Sequence, residues 1–119
     1  MSEKLTLPFS EAQIGYRTYE FVILTKKQAE KEIDSDYGHC CHLEGKIKLN
    51  EKLGEDRIEL ANTVLHELLH TCYYIYHITD RDNEEDTVRP MANALCELWQ
   101  RNPKIFDWLK ENLVSNDRI

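Results

Sequence analysis

Two stripes of apolar residues at helical spacing mark the second half of the chain. From residue 56 to about residue 78, apolar positions recur every three or four residues, which predicts an amphipathic helix. Its apolar positions are Ile58, Ala61, Val64, Leu65, Leu68, Leu69 and Cys72. A second stripe predicts the next helix, and it consists of Val88, Met91, Ala92, Leu95, Leu98 and Trp99. The polar segment 78–83 is expected to be a loop that supplies the N-cap of the second helix.

Two prolines bear on where the later helices begin. Pro90 lies near the second stripe, so it either kinks that helix by removing a backbone donor or marks its first turn. Residues 104–113 predict a last short helix, and Pro103 is well placed at its first position. The second half of the chain is therefore expected to be helical.

Strand signals lie in the first half of the chain. Residues 19–25 are β-branched and aromatic and predict a strand, and residues 26–33 are strong helix formers that predict a short exposed helix. Residues 46–50 alternate polar and apolar, as a half-buried strand does. Gly38 and Gly45 bracket the segment before that strand, so the two pieces are expected to form a hairpin or to lie along an edge.

Composition limits the class of protein. With 119 residues, 41% of them hydrophobic and 31% charged, the chain suits a single domain over residues 1–119. The apolar runs are too short to cross a bilayer, and Met1-Ser2-Glu3-Lys4 lacks the pattern of a secretory signal. A formal charge of −7 disfavours nucleic-acid binding, which needs clustered Lys and Arg. We therefore expect a soluble cytoplasmic protein without nucleic-acid or membrane partners, and the oligomeric state stays open.

The four cysteines are Cys40, Cys41, Cys72 and Cys96. None forms a C-x-x-C pair, and the adjacent Cys40 and Cys41 would bridge each other only with strain. In a cytoplasmic chain all four are expected to be reduced thiols. Cys72 and Cys96 are expected to be core residues.

Metal-ligating side chains cluster at His39, Cys40, Cys41 and His42. Adjacent cysteines lack the spacer of two to four residues that lets both thiolates reach one tetrahedral ion. A second zinc site is therefore the less favoured interpretation of this cluster. A strand or turn beside a cleft is preferred.

The segment His66-Glu67-Leu68-Leu69-His70 falls inside the first predicted helix. Residues four apart lie on one helical face, so His66 and His70 can direct imidazole nitrogens at one zinc ion. Glu67 follows the first histidine and is placed to take a proton from a water whose pKa zinc lowers to about 7. The alternative is two hydrogen-bonded histidines on a helix without a metal.

A zinc site of this kind needs a third protein ligand. The pattern H-E-x-x-H-x-x-G-x-x-H is excluded, because Tyr73 and Tyr76 stand where it requires Gly and His. His77 continues the face of His70 seven residues on, but that is about 10 Å of helical rise. His77 is therefore the less favoured ligand, and it could instead reach substrate.

The favoured third ligand is a glutamate at the start of the next helix. Glu85 stands three and seven residues before Val88 and Ala92, so it shares the face expected to pack inward. Glu84 is nearly as well placed, and the choice of Glu85 leaves it open. The alternative for these acids is a solvated helix N-terminus, where the helix dipole favours negative charge.

Aromatic residues follow the histidine pair. One of Tyr73, Tyr74 and Tyr76 could donate a hydrogen bond to an oxyanion during amide hydrolysis. Half-buried packing with a solvated hydroxyl is the preferred interpretation. Trp99, Phe106 and Trp108 are expected to be core residues.

These motifs resemble those of small zincin-like metallopeptidase-like proteins encoded by phages and prophages, and they are similar to minimal gluzincins and to SprT-like and ImmA-type domains. The resemblance covers roughly residues 37–113 and is carried by residues 65–70, by the preceding strand 45–49 and by Glu84-Glu85-x-x-Val88. It implies an α+β fold with a short antiparallel or mixed sheet. An edge strand would lie beside a metal cleft, one helix would carry both histidines, and the next would carry the acidic ligand.

The leading hypothesis is a zinc-dependent peptidase in which Glu67 takes a proton from water and passes it to the leaving amine. An extended peptide would pair with the exposed edge of the strand formed by residues 47–49. The runner-up is a non-catalytic zinc-binding or protein-interaction module of phage origin. A phage-encoded protein of either kind is expected in the cytoplasm of the host. A third possibility is a metal-free helical interaction protein.

Overall fold

Four strands form one mixed sheet in the computed structural model, which describes residues 5–78 and 84–113 without the side chains of Glu84 and Glu85. Strand β1 (Glu11–Ile14) pairs antiparallel with β2 (Arg17–Leu24). Strand β3 (Gly38–Cys41) pairs antiparallel with β4 (Lys46–Asn50). The order β1-β2-β4-β3 joins these two hairpins through a parallel pairing of β2 with β4.

The position of the edge strand corrects one prediction. The strand over residues 47–49 is not at an edge, because β4 pairs with β2 on one side and with β3 on the other. The edge next to β4 is β3, which contains His39, Cys40 and Cys41. The hairpin expected between Gly38 and the 46–50 strand is confirmed, and the histidine and cysteine cluster is a strand that continues into a turn.

Helices follow or connect the strands, so the predicted α+β class with a mixed sheet is confirmed. The described residues contain α1 (Lys26–Glu32), a 3₁₀ helix (Glu51–Glu55), α2 (Arg57–Ile75), α3 (Glu84–Arg101) and α4 (Pro103–Asn112). Pro90 lies inside α3, and Pro103 is the first residue of α4. The predicted loop ends in residues 79–83, which lie outside the described residues. Within the described chain, no helix has the length and apolar character needed to cross a membrane.

Helix α2 begins at a side-chain cap. The carboxylate of Asp56 accepts hydrogen bonds of 3.1 Å from the backbone N–H groups of Ile58 and Glu59, which have no partner within the helix. The preceding 3₁₀ helix is capped in the same way by Asn50, whose side chain accepts from Lys52. These caps fix where α2 starts after β4, and therefore how its later turns lie along the sheet.

The main core lies between the sheet and helices α2, α3 and α4. Val64, Leu68 and Cys72 of α2 are fully buried in one cluster with residues of β1, β2 and β4. The strand residues in that cluster are Ala12, Ile14, Tyr19, Ile47 and Leu49. The predicted inward stripe of α2 is confirmed in its middle, whereas Ile58 in the first turn is 39% exposed.

Helix α3 packs through a face that only partly matches the predicted one, since Leu98 is buried and Leu95 is partly buried. Ala94 and Leu98 are buried, whereas Val88 is 49% exposed and Trp99 is 62% exposed. Ala92 and Cys96 are also exposed, so the expected core position of Cys96 was wrong. Leu98 was assigned correctly, and the small Ala94 replaces the large Trp99 at the buried interface. The outer side of α3 therefore carries apolar residues that remain exposed among the described residues.

The junction of α3 and α4 is tied to β1 by Asn102. Its side-chain amide accepts from the backbone N–H of Gln13 and donates to the Gln13 carbonyl, both at 2.8 Å. The same amide nitrogen also donates to the carbonyl of Leu98 at 2.9 Å. Next to this junction, the ring of Trp99 stacks on Phe106 with centroids 4.4 Å apart. Phe106 is buried as predicted, and Trp108 is partly buried against the core.

Candidate functional site

The imidazoles of His66 and His70 meet on the outer face of α2. Their Nε2 atoms lie 3.1 Å apart, and both residues are exposed. Two nitrogens that ligate one tetrahedral zinc ion at about 2.0–2.1 Å stand about 3.3 Å from each other. The separation is close to that expected for two nitrogens on one ion, and it is also a hydrogen-bond distance, so it fits both interpretations of the pair.

Glu67 is buried beside this pair. It is 6% exposed, and a Cβ added to Gly38 of β3 would lie 3.3 Å from its Oε2 atom. Burial raises the pKa of Glu67, and the nearby His66, His70 and His39 oppose that rise. The carboxyl group therefore lies between α2 and the edge strand, in an environment that favours its protonated form more than water does.

A cleft runs between α2 and β3 on both sides of Glu67. One cavity of about 500 Å³ extends toward the loop before β3 and is lined by Ser35, Asp36, Tyr37, Gly38, Glu59, Asn62, Thr63, His66 and Glu67. A second cavity of about 330 Å³ is lined by Gly38, His39, Cys40, His42, His66, Glu67 and His70. Gly38, His66 and Glu67 line both cavities, so the histidine pair and the buried carboxyl stand at the middle of the cleft.

His42 closes one end of this cleft and is held on three sides. Its Nδ1 atom lies 2.9 Å from the hydroxyl of Tyr19, its ring stacks on Tyr74 with centroids 4.0 Å apart, and its carbonyl accepts from Arg17 at 2.6 Å. Burial lowers the pKa of His42, and the positive charges of His70, Arg17 and His39 lower it further. His42 is therefore a fixed, neutral imidazole at neutral pH.

Cys40 also reaches the cleft from β3. Its Sγ atom is 3.5 Å from His42 Nδ1, and burial together with the carboxylate of Glu67 raises the pKa of the thiol to about 12. Such a thiol stays protonated at neutral pH and is a poor nucleophile. Cys40, Cys41, Cys72 and Cys96, all in the described part of the chain, are unpaired.

The predicted third ligand, Glu85 or Glu84, falls outside the described side chains. Among the side chains that the structure describes, no three His, Cys, Asp or Glu residues are grouped so that they could hold a metal ion. Glu84 and Glu85 begin α3, but their side chains fall outside the description. The preference for Glu85 rested on a face shared with Val88 and Ala92, and those two residues are exposed on α3.

The residues after the histidine pair take structural positions. Helix α2 ends at Ile75, and His77 follows with a φ of 52°, so His77 does not continue the face of His70. The hydroxyl of Tyr76 donates to Glu97 of α3. Tyr73 and Tyr74 are exposed, and Tyr74 contributes its ring to the stack on His42.

Sequence reasoning missed two parts of this site. It did not find the approach of Gly38 to Glu67 or the bond between Tyr19 and His42, which join residues 29 and 23 positions apart. No local pattern predicts such pairings. The clue within reach was the metal-ligating residue types of the segment 39–42, which the sequence placed beside a cleft without assigning a role to His42.

Comparisons with known proteins add no family to this geometry. The chain matches no protein-family model, and neither the curated proteins nor the solved structures searched gave a significant match.

Proposed function

We propose that this protein is a zinc-dependent peptidase whose metal is held by His66 and His70. The observation that carries the proposal is the 3.1 Å separation of the two Nε2 atoms beside the buried carboxyl of Glu67. It is the donor set that zinc prefers, placed in an open cleft rather than in the core. We also propose that the protein is related to the phage-encoded zincin-like proteins that it resembles, and that it lies in the cytoplasm.

The third ligand in this proposal is a glutamate from the start of α3. Glu85 was favoured by the sequence, and Glu84 is the alternative. Position 84 is fourteen residues before the buried Leu98, about 3.9 helical turns, whereas position 85 is thirteen residues before it, about 3.6 turns. This spacing favours Glu84 over Glu85. When bound, zinc would polarise the scissile carbonyl and lower the pKa of water in the cleft.

Glu67 would act as the general base and then as the general acid. Its buried position raises its pKa, and a base whose pKa is closer to neutrality transfers protons in both directions more readily. It would take a proton from the attacking water and pass that proton to the amine released from the peptide. The carbon–nitrogen bond of the peptide breaks, a carbon–oxygen bond forms, and no oxidant or further reactant is needed.

The substrate in this proposal is an extended peptide that lies along β3. Because β3 is at the end of the described sheet, its outer edge offers backbone N–H and C=O groups beside the cleft. A peptide that adds to such an edge is recognised mainly through its backbone. Four residues of β3 span about 13 Å, which is enough to fix a short stretch of substrate across Glu67.

The test combines metal content with peptide cleavage. We would purify the wild type, His70→Ala and Glu67→Gln, with His77→Ala as a control that removes an exposed histidine outside both cavities. We expect one zinc per chain in the wild type, in Glu67→Gln and in His77→Ala, and a loss of zinc in His70→Ala. Casein cleavage is expected in the wild type and His77→Ala but not in Glu67→Gln.

Other outcomes would contradict the proposal in different ways. No zinc in the wild type would remove its basis. Zinc without cleavage of casein or of a mixed peptide library would favour the second candidate, a non-catalytic binding module. One observation supports that alternative: Val88 and Trp99 leave an apolar face of α3 exposed, which suits a protein-interaction surface.

A further inference from the structure

His42 lies in the cleft but is not part of the zinc-binding pair. It lines the cavity that His66, Glu67 and His70 also line, and it lies on the strand side of the cleft. Its ring is fixed by the stack on Tyr74, with 7° between the ring planes, and by the contact of Nδ1 with Tyr19. A ring held by Tyr74 and Tyr19 in the lining of a cavity is suited to a positional role.

The partners of His42 decide which ring nitrogen carries the proton. Tyr19 is fully buried, and among the described residues its hydroxyl has one hydrogen-bond partner, the Nδ1 atom of His42. A buried hydroxyl hydrogen needs an acceptor, because leaving it without one forfeits the hydrogen bond that it makes with water in the unfolded chain. The second neighbour of Nδ1 is the Cys40 thiol, which is also a donor. Nδ1 is therefore the acceptor, and the proton of a neutral His42 is on Nε2.

We propose that His42 is a catalytic residue that donates a hydrogen bond from Nε2 to the carbonyl oxygen of the peptide as negative charge develops on it. This inference rests on the proposed peptidase function and adds a substrate-contacting group to it. Tyr19 is then a positioning residue, since its hydroxyl holds the tautomer and the orientation of the ring. A donor that is fixed before the substrate arrives stabilises such a charge without reorganisation.

The same geometry argues against a ligand role for His42. An imidazole nitrogen that carries a proton has no lone pair for a metal, so the Nε2–H tautomer cannot bind zinc through that atom. The grouping of described side chains agrees, because no third ligand joins His66 and His70 there. His42 lines the same cavity as His66 and His70, and in this proposal it acts there as a hydrogen-bond donor and not as a ligand.

The tautomer is tested first, on the metal-free protein. Long-range ¹H–¹⁵N correlation spectra report which nitrogen of His42 is protonated, and we expect the Nε2–H form in the wild type at neutral pH. Tyr19→Phe is expected to shift His42 toward a mixture of tautomers. Tyr16→Phe, which removes the hydroxyl of a highly exposed tyrosine from the same β1–β2 hairpin, is expected to leave the His42 signals unchanged. A wild-type spectrum with the proton on Nδ1 would overturn the proposal.

The contact with substrate is tested by binding on the zinc-loaded protein. A phosphonamidate peptide, whose tetrahedral oxyanion imitates the charged oxygen, is titrated by calorimetry into the wild type, His42→Ala and His42→Gln. We expect His42→Ala to bind about 10²-fold more weakly, the lower end of what one oxyanion donor contributes, and the amide donor of His42→Gln to recover part of the loss. Zinc content is expected to stay at one per chain in both variants.

The outcomes separate this inference from the proposed function. Equal binding by the wild type and His42→Ala would overturn the role of His42 while leaving the zinc peptidase intact. Loss of zinc in His42→Ala would also overturn it, because His42 would then be a ligand. A wild type that binds no zinc would overturn both proposals together.

Discussion

Gly38 and Glu67 approach so closely that a methyl group on Gly38 would lie 3.3 Å from both the Cγ and the Oε2 atoms of the glutamate. The same methyl group would lie 2.9 Å from the Cγ2 atom of Thr63, a distance that real side chains do not tolerate. A glycine at this position therefore lets the edge strand lie against α2. The width of the cleft around Glu67 depends on that contact.

We expect Gly38→Ala to lower the free energy of unfolding by about 1–3 kcal/mol, which is the usual cost of forcing a group into a packed interface. Helix α2 or strand β3 must shift to admit the methyl group. The measurement is urea unfolding followed by circular dichroism, with the wild type under the same conditions.

A double variant identifies the cause of that loss. Thr63→Ser removes the Cγ2 atom that the new methyl group would strike, so Gly38→Ala should cost less in the Thr63→Ser background than in the wild type. Equal costs in the two backgrounds would show that the contact between Gly38 and Thr63 is not responsible.

Asn102→Ala is expected to loosen the attachment of β1 to the helices. The substitution leaves the backbone N–H and C=O groups of Gln13 without their 2.8 Å partners, at a cost of about 1–3 kcal/mol. Thermal unfolding measures the loss. The matched control is Asn112→Ala, since that amide donates to the Trp108 carbonyl within its own helix and its loss should change stability by about 0.5 kcal/mol or less. Similar losses in both variants would contradict the argument.

Stability should fall in alkali because of two thiols whose pKa is raised by burial, of which Cys72 contributes one part and Cys40 another. Burial raises the pKa of the Cys72 thiol to about 11 in the folded protein, from 9.0 for an exposed thiol. Between these values the unfolded chain has released the proton and the folded protein still holds it. Each pH unit in that window therefore costs the folded state about 1.4 kcal/mol, and the contribution is absent below it.

The Cys72 effect is measured as a slope of stability against pH. Urea unfolding between pH 8 and 11 should give a shallower decline for Cys72→Ala than for the wild type, although the variant starts from a lower stability. Cys96→Ala removes an exposed thiol and should keep the wild-type slope. A Cys72→Ala slope equal to that of the wild type would show that another group causes the alkaline loss.

The two tryptophans should differ in their access to solvent. Trp99 is 62% exposed on the outer face of α3, whereas Trp108 is partly buried and contacts Phe9 edge-on. We expect acrylamide to quench the fluorescence of Trp108→Phe, which retains Trp99, more strongly than that of Trp99→Phe. Equal quenching would indicate that the apolar face of α3 is covered in solution, for example by a second copy of the chain.

Periodicity in the sequence predicted the elements that bury one face over many residues. Helix α2 and strand β4 appeared with bounds close to those observed, because Val64, Leu68, Ile47 and Leu49 repeat at the spacing of a helix or a strand. Strand β1 was missed. It has four residues, too few for a period to show, and it is held by the hairpin partner β2 and by the distant Asn102.

The orientation of α3 could not be predicted for a different reason. The helix has apolar residues on two faces, and hydrophobicity alone favours the face with Trp99. The structure buries Ala94 and Leu98 instead. A small residue such as Ala94 lets α3 lie close to the elements it packs against. Which face is buried therefore depends on the shape of those elements and not on the helix sequence alone.

The candidate site was predicted where it is local and missed where it is not. His66, Glu67 and His70 follow from one helical spacing, and the structure brings them to one cleft. Gly38 and His42 enter that cleft from the β3–β4 hairpin. Their positions depend on strand pairing, for which the sequence gives no distance.

The parallel pairing of β2 with β4 also has a consequence for folding kinetics. Each hairpin closes over a short loop, but the partners Glu20 and Lys46 are 26 residues apart, so joining the hairpins is the slower, entropically costlier event. Tyr19 belongs to the first hairpin and His42 follows β3 in the second. The bond between them can therefore form only after that late event, so a partly folded chain would already have its histidine pair on α2 while lacking the far wall of the cleft.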